Sequence, residues 1–171
     1  MSFVRVSTIE KELTVSDISN IVQNAQLALQ NSITSVGKQP KDYVTRDLLP
    51  VEDFGLSSEN WLFTYNATGY NSIINITLPD DKFIVIYGVE LQSPNPITGA
   101  VKFFRNVDPL FVAQLSKAYT YETPVLFFNP IVFPQNQVLQ IQAYANATGT
   151  DYVVFRGIVA EPCGKVISCK K

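Results

Sequence analysis

Between Thr14 and Gly37 the apolar residues Ile18, Ile21, Val22, Ala25, Ala28, Leu29, Ile33 and Val36 recur at spacings of three and four. That is the period of one helix face. Thr14 and Asp17 stand in the spacing of a capping box, and Gly37 supplies a stop, so the pattern predicts one amphipathic helix here. From 38 to 58, Pro40, Pro50 and Gly55 break any period, and the stretch reads as a connector. Beyond Glu59 the period falls to two. The runs "NWLFTY", "SIINITL", "KFIVIYGVEL", "AVKFFR", "LFVAQL", "PVLFF", "QVLQIQAYA" and "DYVVFRGIVAE" are rich in β-branched and aromatic residues and are bounded by turn formers, with a further short run "KVIS" at the end. "FIVIYGV" is apolar on both faces and suits a central strand covered on each side.

About eight short strands without a βαβ rhythm predict a mainly β fold, an antiparallel β-sandwich or single jelly roll preceded by an N-terminal amphipathic helix. Residues 1–58 would be a helical arm and connector, and residues 59–171 the sandwich with a short C-terminal tail.

Charge changes this picture. Asp, Glu, Lys and Arg make up 16% of the 171 residues while apolar residues reach 46%, against about 25% charged residues in ordinary soluble domains. Asn, Gln, Ser and Thr take the place of the missing charge. On the helix, the polar face carries Gln23, Asn24, Gln26, Gln30, Asn31 and Thr34, with no charged residue between Asp17 and Lys38. A solvated helix face usually displays Glu and Lys pairs. Amides suit a face that also touches protein, because burying a hydrogen-bonded amide costs far less than burying a charge; an amide-rich composition produces the same pattern without contact. From 123 to 150 the chain again lacks charge. A sandwich sends about half of such residues outward, so part of that face is expected to lie under another molecule. Pro124, Pro130 and Pro134 would make "VLFFNPIVF" an irregular edge segment.

A formal net charge of −2 and the lack of a basic stripe argue against direct contact with nucleic acid. The start "MSFVRVSTIEKELTVSD" shows no apolar signal segment, which sets the expectation of a protein made in the cytoplasm. No run approaches the ~18 apolar residues of a membrane span.

Catalytic equipment is thin. The chain has no His, which removes the commonest base for a Ser or Cys nucleophile. Glu52 with Asp53 and Asp80 with Asp81 are adjacent carboxylates, but both pairs read as solvated loops. No phosphate loop, dinucleotide fingerprint or EF-hand spacing occurs, so neither a cofactor nor a metal is expected, and the chain is not expected to be an enzyme. Cys163 and Cys169 are the only cysteines, too few for a four-ligand zinc site. They would either close the C-terminal loop as a disulfide, worth about 2 kcal/mol on the chain-entropy model, or remain two reduced thiols.

The tetrapeptide Asn-Ala-Thr-Gly occurs twice, from Asn66 and from Asn146, each time between predicted strands. Asn and Gly tolerate positive φ, so turn chemistry explains the repeat. Asn66, Asn75 and Asn146 also satisfy Asn-x-Thr, an acceptor sequence for glycosylation that needs access to a transferase.

A small β-sandwich with a helical arm, few charges and neutral faces resembles the single jelly-roll coat proteins of viruses, at the level of strand count and order over about residues 59–160. The resemblance implies a non-enzymatic subunit that assembles with copies of itself and with a second structural protein, and a place in the virion. It further implies that Gln23, Gln26 and Gln30 dock the helix on a neighbour or an underlying layer, and that Phe127, Phe128, Ile131 and Phe133 anchor interfaces. The other reading is a carbohydrate-binding sandwich, with Trp61, Tyr65, Tyr70, Tyr119 and Tyr121 as candidates for a sugar platform.

Overall fold

The computed structural model describes residues 14–115 and 124–166, together with the backbone of residues 5–7. In chain order the elements are β1 (Arg5–Ser7), α1 (Val15–Ser35), β2 (Tyr43–Asp47), α2 (Pro50–Phe54), β3 (Leu62–Tyr65), β4 (Gly69–Thr77), β5 (Phe83–Leu91), β6 (Thr98–Arg105), β7 (Asp108–Gln114), β8 (Val125–Phe133), β9 (Val138–Ala145) and β10 (Gly149–Pro162). One sheet runs β1-β7-β6-β9-β4 and the other β2-β10-β5-β8, with β3 also paired to β10. All pairings are antiparallel except that of β1 with β7.

β10 pairs with β3 through its first four residues and with β2 through its last five. β2 and β3 are therefore two halves of one edge strand, with α2 looped out between them. Counted so, the chain changes sheet at every connection from β3 onward except the β6–β7 hairpin. This is the connectivity of a single jelly roll, within the sandwich class that the run of short strands predicted.

Both sheets bury their facing sides in one core that includes Phe63, Ile84, Ile86, Phe103, Phe111, Leu139, Ile141 and Phe155. β9 shows the cause: Leu139, Ile141, Ala143 and Ala145 are buried, while Gln140, Gln142 and Tyr144 point outward. β5 is apolar on both faces because both are covered. Ile84 and Ile86 enter the sandwich core, while Phe83 and Val85 pack outside against Ala25, Leu29 and Ile33 of α1.

The helix expected as an N-terminal arm is thus packed on its own sandwich through its apolar side. Its apolar stripe lies on β8, β5 and β10 of the same chain. α1 starts at the capping box foreseen: Thr14 Oγ1 accepts from Asp17 N at 3.1 Å, and Asp17 Oδ2 accepts from Thr14 N at 3.1 Å. The connector reading is corrected, because β2 lies within it and forms a sheet edge.

Candidate functional site

Four places on the molecule bring chemistry together. The first is the pair of turns that carry the repeated tetrapeptide. Residues 66–68 lead from β3 to β4, and residues 146–148 from β9 to β10. Gly149 pairs with Tyr65 and Gly69 with Ala145, so the two turns stand side by side at one end of the sandwich. Both glycines have positive φ, +91° at Gly69 and +140° at Gly149. The repeat thus serves two neighbouring corners where the chain crosses between sheets. Asn66 and Asn146 are exposed there, and Asn75 is exposed on β4. The adjoining segment 92–97 is uncharged as well.

Charge gathers instead toward the other end. Arg46 binds Asp53 through two nitrogens, at 2.7 and 2.8 Å, and Glu161 through Nε at 3.0 Å; Lys82 Nζ lies 2.7 Å from Asp53 Oδ1. Leu49 N also donates to Asp53, at 2.6 Å. Burial pushes the Asp53 carboxyl up, but these donors outweigh it and hold the group below its ordinary value. Asp53 was expected in a solvated loop. The short turn of α2 instead points it inward, and the cluster pins the looped-out segment to β2 and β10. A second cluster joins Lys38, after the helix, to Asp81, Gln135 and Tyr43. Burial and the bond to Asp81 raise the Tyr43 hydroxyl to about 12. Both clusters hold the frame, and their charges are internally paired. Among the described residues no group of three or more acidic, His or Cys side chains is placed to hold a metal.

The third place is the outer face of α1. Gln23, Asn24, Gln26, Leu27, Gln30, Asn31 and Thr34 are exposed, with Leu27 at 56%. Asn24 Nδ2 donates to the Phe128 carbonyl at 3.3 Å. Phe128, 46% exposed, sits in a break of the β8 register, since Leu126 pairs with Gly88 but Ile131 with Ile86. The break is the irregularity expected around Pro130, on a strand that is indeed an edge. Phe127, Ile131 and Phe133 are buried, at 2%, 6% and 0%, and belong to the core. They are not surface anchors: strand alternation turns them inward, and α1 covers the neutral outer side of β8.

The fourth place is the outer face of the β4-β9-β6-β7 sheet, which no described element covers. Its rungs read Tyr70–Tyr144–Ala100–Gln114, then Ser72–Gln142–Lys102–Val112, then Asn75–Gln140–Phe104–Pro109. Tyr70 and Tyr144 are exposed and meet edge to face at 5.1 Å, and Lys102 Nζ stands 3.9 Å over the Tyr70 ring. Of the other aromatics considered for a platform, Tyr65 is buried and donates to or accepts from Thr98 Oγ1 at 2.8 Å, and Trp61 is half-buried against Phe54 and Phe155. Tyr119 and Tyr121 lie outside the described residues. Tyr144 escaped the sequence reading although its strand showed the clearest alternation, which already placed it on the polar face.

Cys163 lies in an exposed turn after β10 and is disulfide-bonded; Cys169, the other cysteine, lies outside the described residues. Of "KVIS", Lys165 and Val166 form a bend, and the rest lies outside the described residues. No described helix is long and apolar enough to cross a membrane. Comparison of the chain with protein-family models, characterised proteins and solved structures finds no match.

Proposed function

We propose that this chain is a structural subunit without enzymatic activity, the coat protein of a virus, which associates through neutral surfaces with copies of itself and with a second structural protein in the virion. Fold alone does not carry this reading, because jelly rolls serve many functions. The observation that carries it is the outer face of α1. Beyond Asp17 in its first turn, the 21-residue helix has an apolar side devoted to the molecule's own sheet and an amide side, with Leu27 and the neighbouring Phe128, that is free of charge. A face with amides and isolated large apolar side chains can be desolvated cheaply against a like surface.

The test is molar mass by light scattering behind a sizing column over a hundredfold range of concentration. Growth into discrete oligomers, abolished by Leu27→Glu with Phe128→Glu, is the expected result, because each carboxylate would have to be buried unpaired. A strict monomer throughout, or growth indifferent to both substitutions, overturns self-association through this face.

A second reading has one specific observation in its favour. The exposed Tyr70 and Tyr144 with Lys102 on the uncovered sheet suit a carbohydrate-binding surface.

A further inference from the structure

From the outer face of the β4-β9-β6-β7 sheet we infer a binding site for an acidic oligosaccharide, a glycan bearing a carboxylate, centred on Tyr144, Tyr70 and Lys102. The inference rests on the second reading above and gives it a ligand class.

Three features of the face converge. The first is shape. Strands lie about 4.8 Å apart and same-face residues about 7 Å apart along each strand, so three rungs across three strands make a plateau roughly 10 by 14 Å. Two or three pyranose rings cover such an area. The second is the supply of unused hydrogen-bonding groups. Ser72, Asn75, Gln140 and Gln142 lie on the plateau, and none of their side chains has a hydrogen-bond partner among the described residues. Amides and hydroxyls beside two tyrosine rings match a ligand that is apolar on the faces of its rings and polar around their edges.

The third is charge. Lys102 is the only charged residue in the three rungs, and no carboxylate shares them. It has no ion pair among the described residues, whereas the Arg46 and Lys38 clusters at the other end are fully paired. The Tyr70 ring holds the ammonium in place from one side. Among the described residues, its remaining N–H donors meet no acceptor of opposite charge. A ligand carboxylate supplies it, and a neutral sugar does not. Tyr144, set at 76° to Tyr70, provides the ring on which the sugar stacks.

The experiment uses saturation-transfer NMR with the whole chain and five probes: 3′-sialyllactose, a glucuronate-containing tetrasaccharide, an oligogalacturonate, neutral lactose and a polyglutamate peptide. Variants Lys102→Gln and Tyr144→Ala alter exposed side chains, and circular dichroism checks that each folds. The expected result is transfer to at least one acidic glycan. Lys102→Gln should weaken it about tenfold, since a charge-assisted bond is lost, with lactose changed less than twofold. Tyr144→Ala should remove transfer to acidic and neutral sugars alike, while Leu27→Glu on the far face should change neither. Equal binding of lactose and the acidic sugars, indifferent to Lys102→Gln, overturns the acidic preference but leaves a sugar surface standing. No transfer to any probe at 5 mM, or binding of a polyglutamate peptide in place of sugars, overturns both.

Discussion

Leu27 and Leu29 are two residues apart on α1 and should respond very unequally to substitution. Leu29 is 1% exposed and packs with Ala25, Ile33, Phe83, Val85, Ile158 and Ala160. Truncation to Ala loses the transfer free energy of the removed methyl groups and leaves a cavity between a helix and a sheet that are each held by their own hydrogen bonds, so neither collapses freely to fill it. Buried Leu→Ala changes of this kind cost about 3 kcal/mol. For a chain of this length that corresponds to a fall in Tm of roughly 6 to 12 °C. Leu27, 56% exposed, makes no such packing, and Leu27→Ala should stay within about 0.5 kcal/mol of the parent. Urea unfolding at submicromolar protein, followed by far-ultraviolet circular dichroism and by Trp61 fluorescence, measures both. The two probes report different layers: dichroism sees α1, and Trp61 sits against Phe54 and Phe155 under β10. Coincident transitions shifted by Leu29→Ala alone would agree with a helix that is part of the fold. A shift below 1 kcal/mol for Leu29→Ala, or equal shifts for both variants, would mean that α1 does not use this stripe to cover the sheet.

Asp53→Asn should cost about 3 to 5 kcal/mol, because Arg46 would keep only Glu161 as a charged partner and Lys82 would lose the carboxylate it pairs with; an effect under 1 kcal/mol in urea unfolding would contradict the cluster's role. The folded Asp53 and Asp81 carboxyls are both held below their ordinary value, so their stabilisation is complete above about pH 4 and is lost as pH falls through the folded values; a Tm that does not drop on acidification below pH 4 would refute this. At the other extreme, burial raises Tyr65 to about 12, and Tyr43 also reaches about 12. Ultraviolet titration should therefore show these two phenols ionising well above the ordinary phenol value of about 10, with stability falling between pH 10 and 12, and their ionisation at that ordinary value would count against the burial seen here. Gly157 stands at a register shift of β10, where an added Cβ would come within 2.3 Å of the Val85 carbonyl oxygen. Gly157→Ala should destabilise by about 2 to 3 kcal/mol, and a neutral result in thermal unfolding would show that the bulge has room.

The strand positions, the helix with its cap, the edge character of β8 and the sandwich itself were legible because each depends on local period or turn chemistry. β2 was not. "YVTRD" carries Arg46 and Asp47 between two prolines, and its pairing is set by β10, which lies more than a hundred residues away in sequence. The partner of the helix was hidden for a related reason: an apolar stripe states that something covers it and not what. The clue lay in β5, whose second apolar face needed a cover that the helix could supply. Phe127, Ile131 and Phe133 were misread because the uncharged stretch around them was judged as a whole, whereas alternation on either side of the Pro130 break assigns each residue to a face. The ion cluster around Asp53 left no trace in the sequence, since its four charged residues come from four separate segments.

The two candidate surfaces are on opposite sides of the molecule, and this follows from how α1 is spent. Because the helix covers the β2-β10-β5-β8 sheet, the only broad sheet face left without cover among the described residues is that of β4, β9, β6 and β7. Two sheets about 10 Å apart and a helix layer of similar thickness separate Leu27 and Phe128 from Tyr144 and Lys102. Contacts between copies through the helix face would therefore leave the tyrosine face turned away from them, and an acidic glycan could engage a subunit whether or not it is assembled. Several subunits held in one shell would then present several such sites at once, which multiplies weak single-site binding without any new contact. An arrangement that buried the tyrosine face between copies would instead force each subunit to bury Lys102 against a surface that carries no carboxylate, an unfavourable pairing that the neutral helix face avoids.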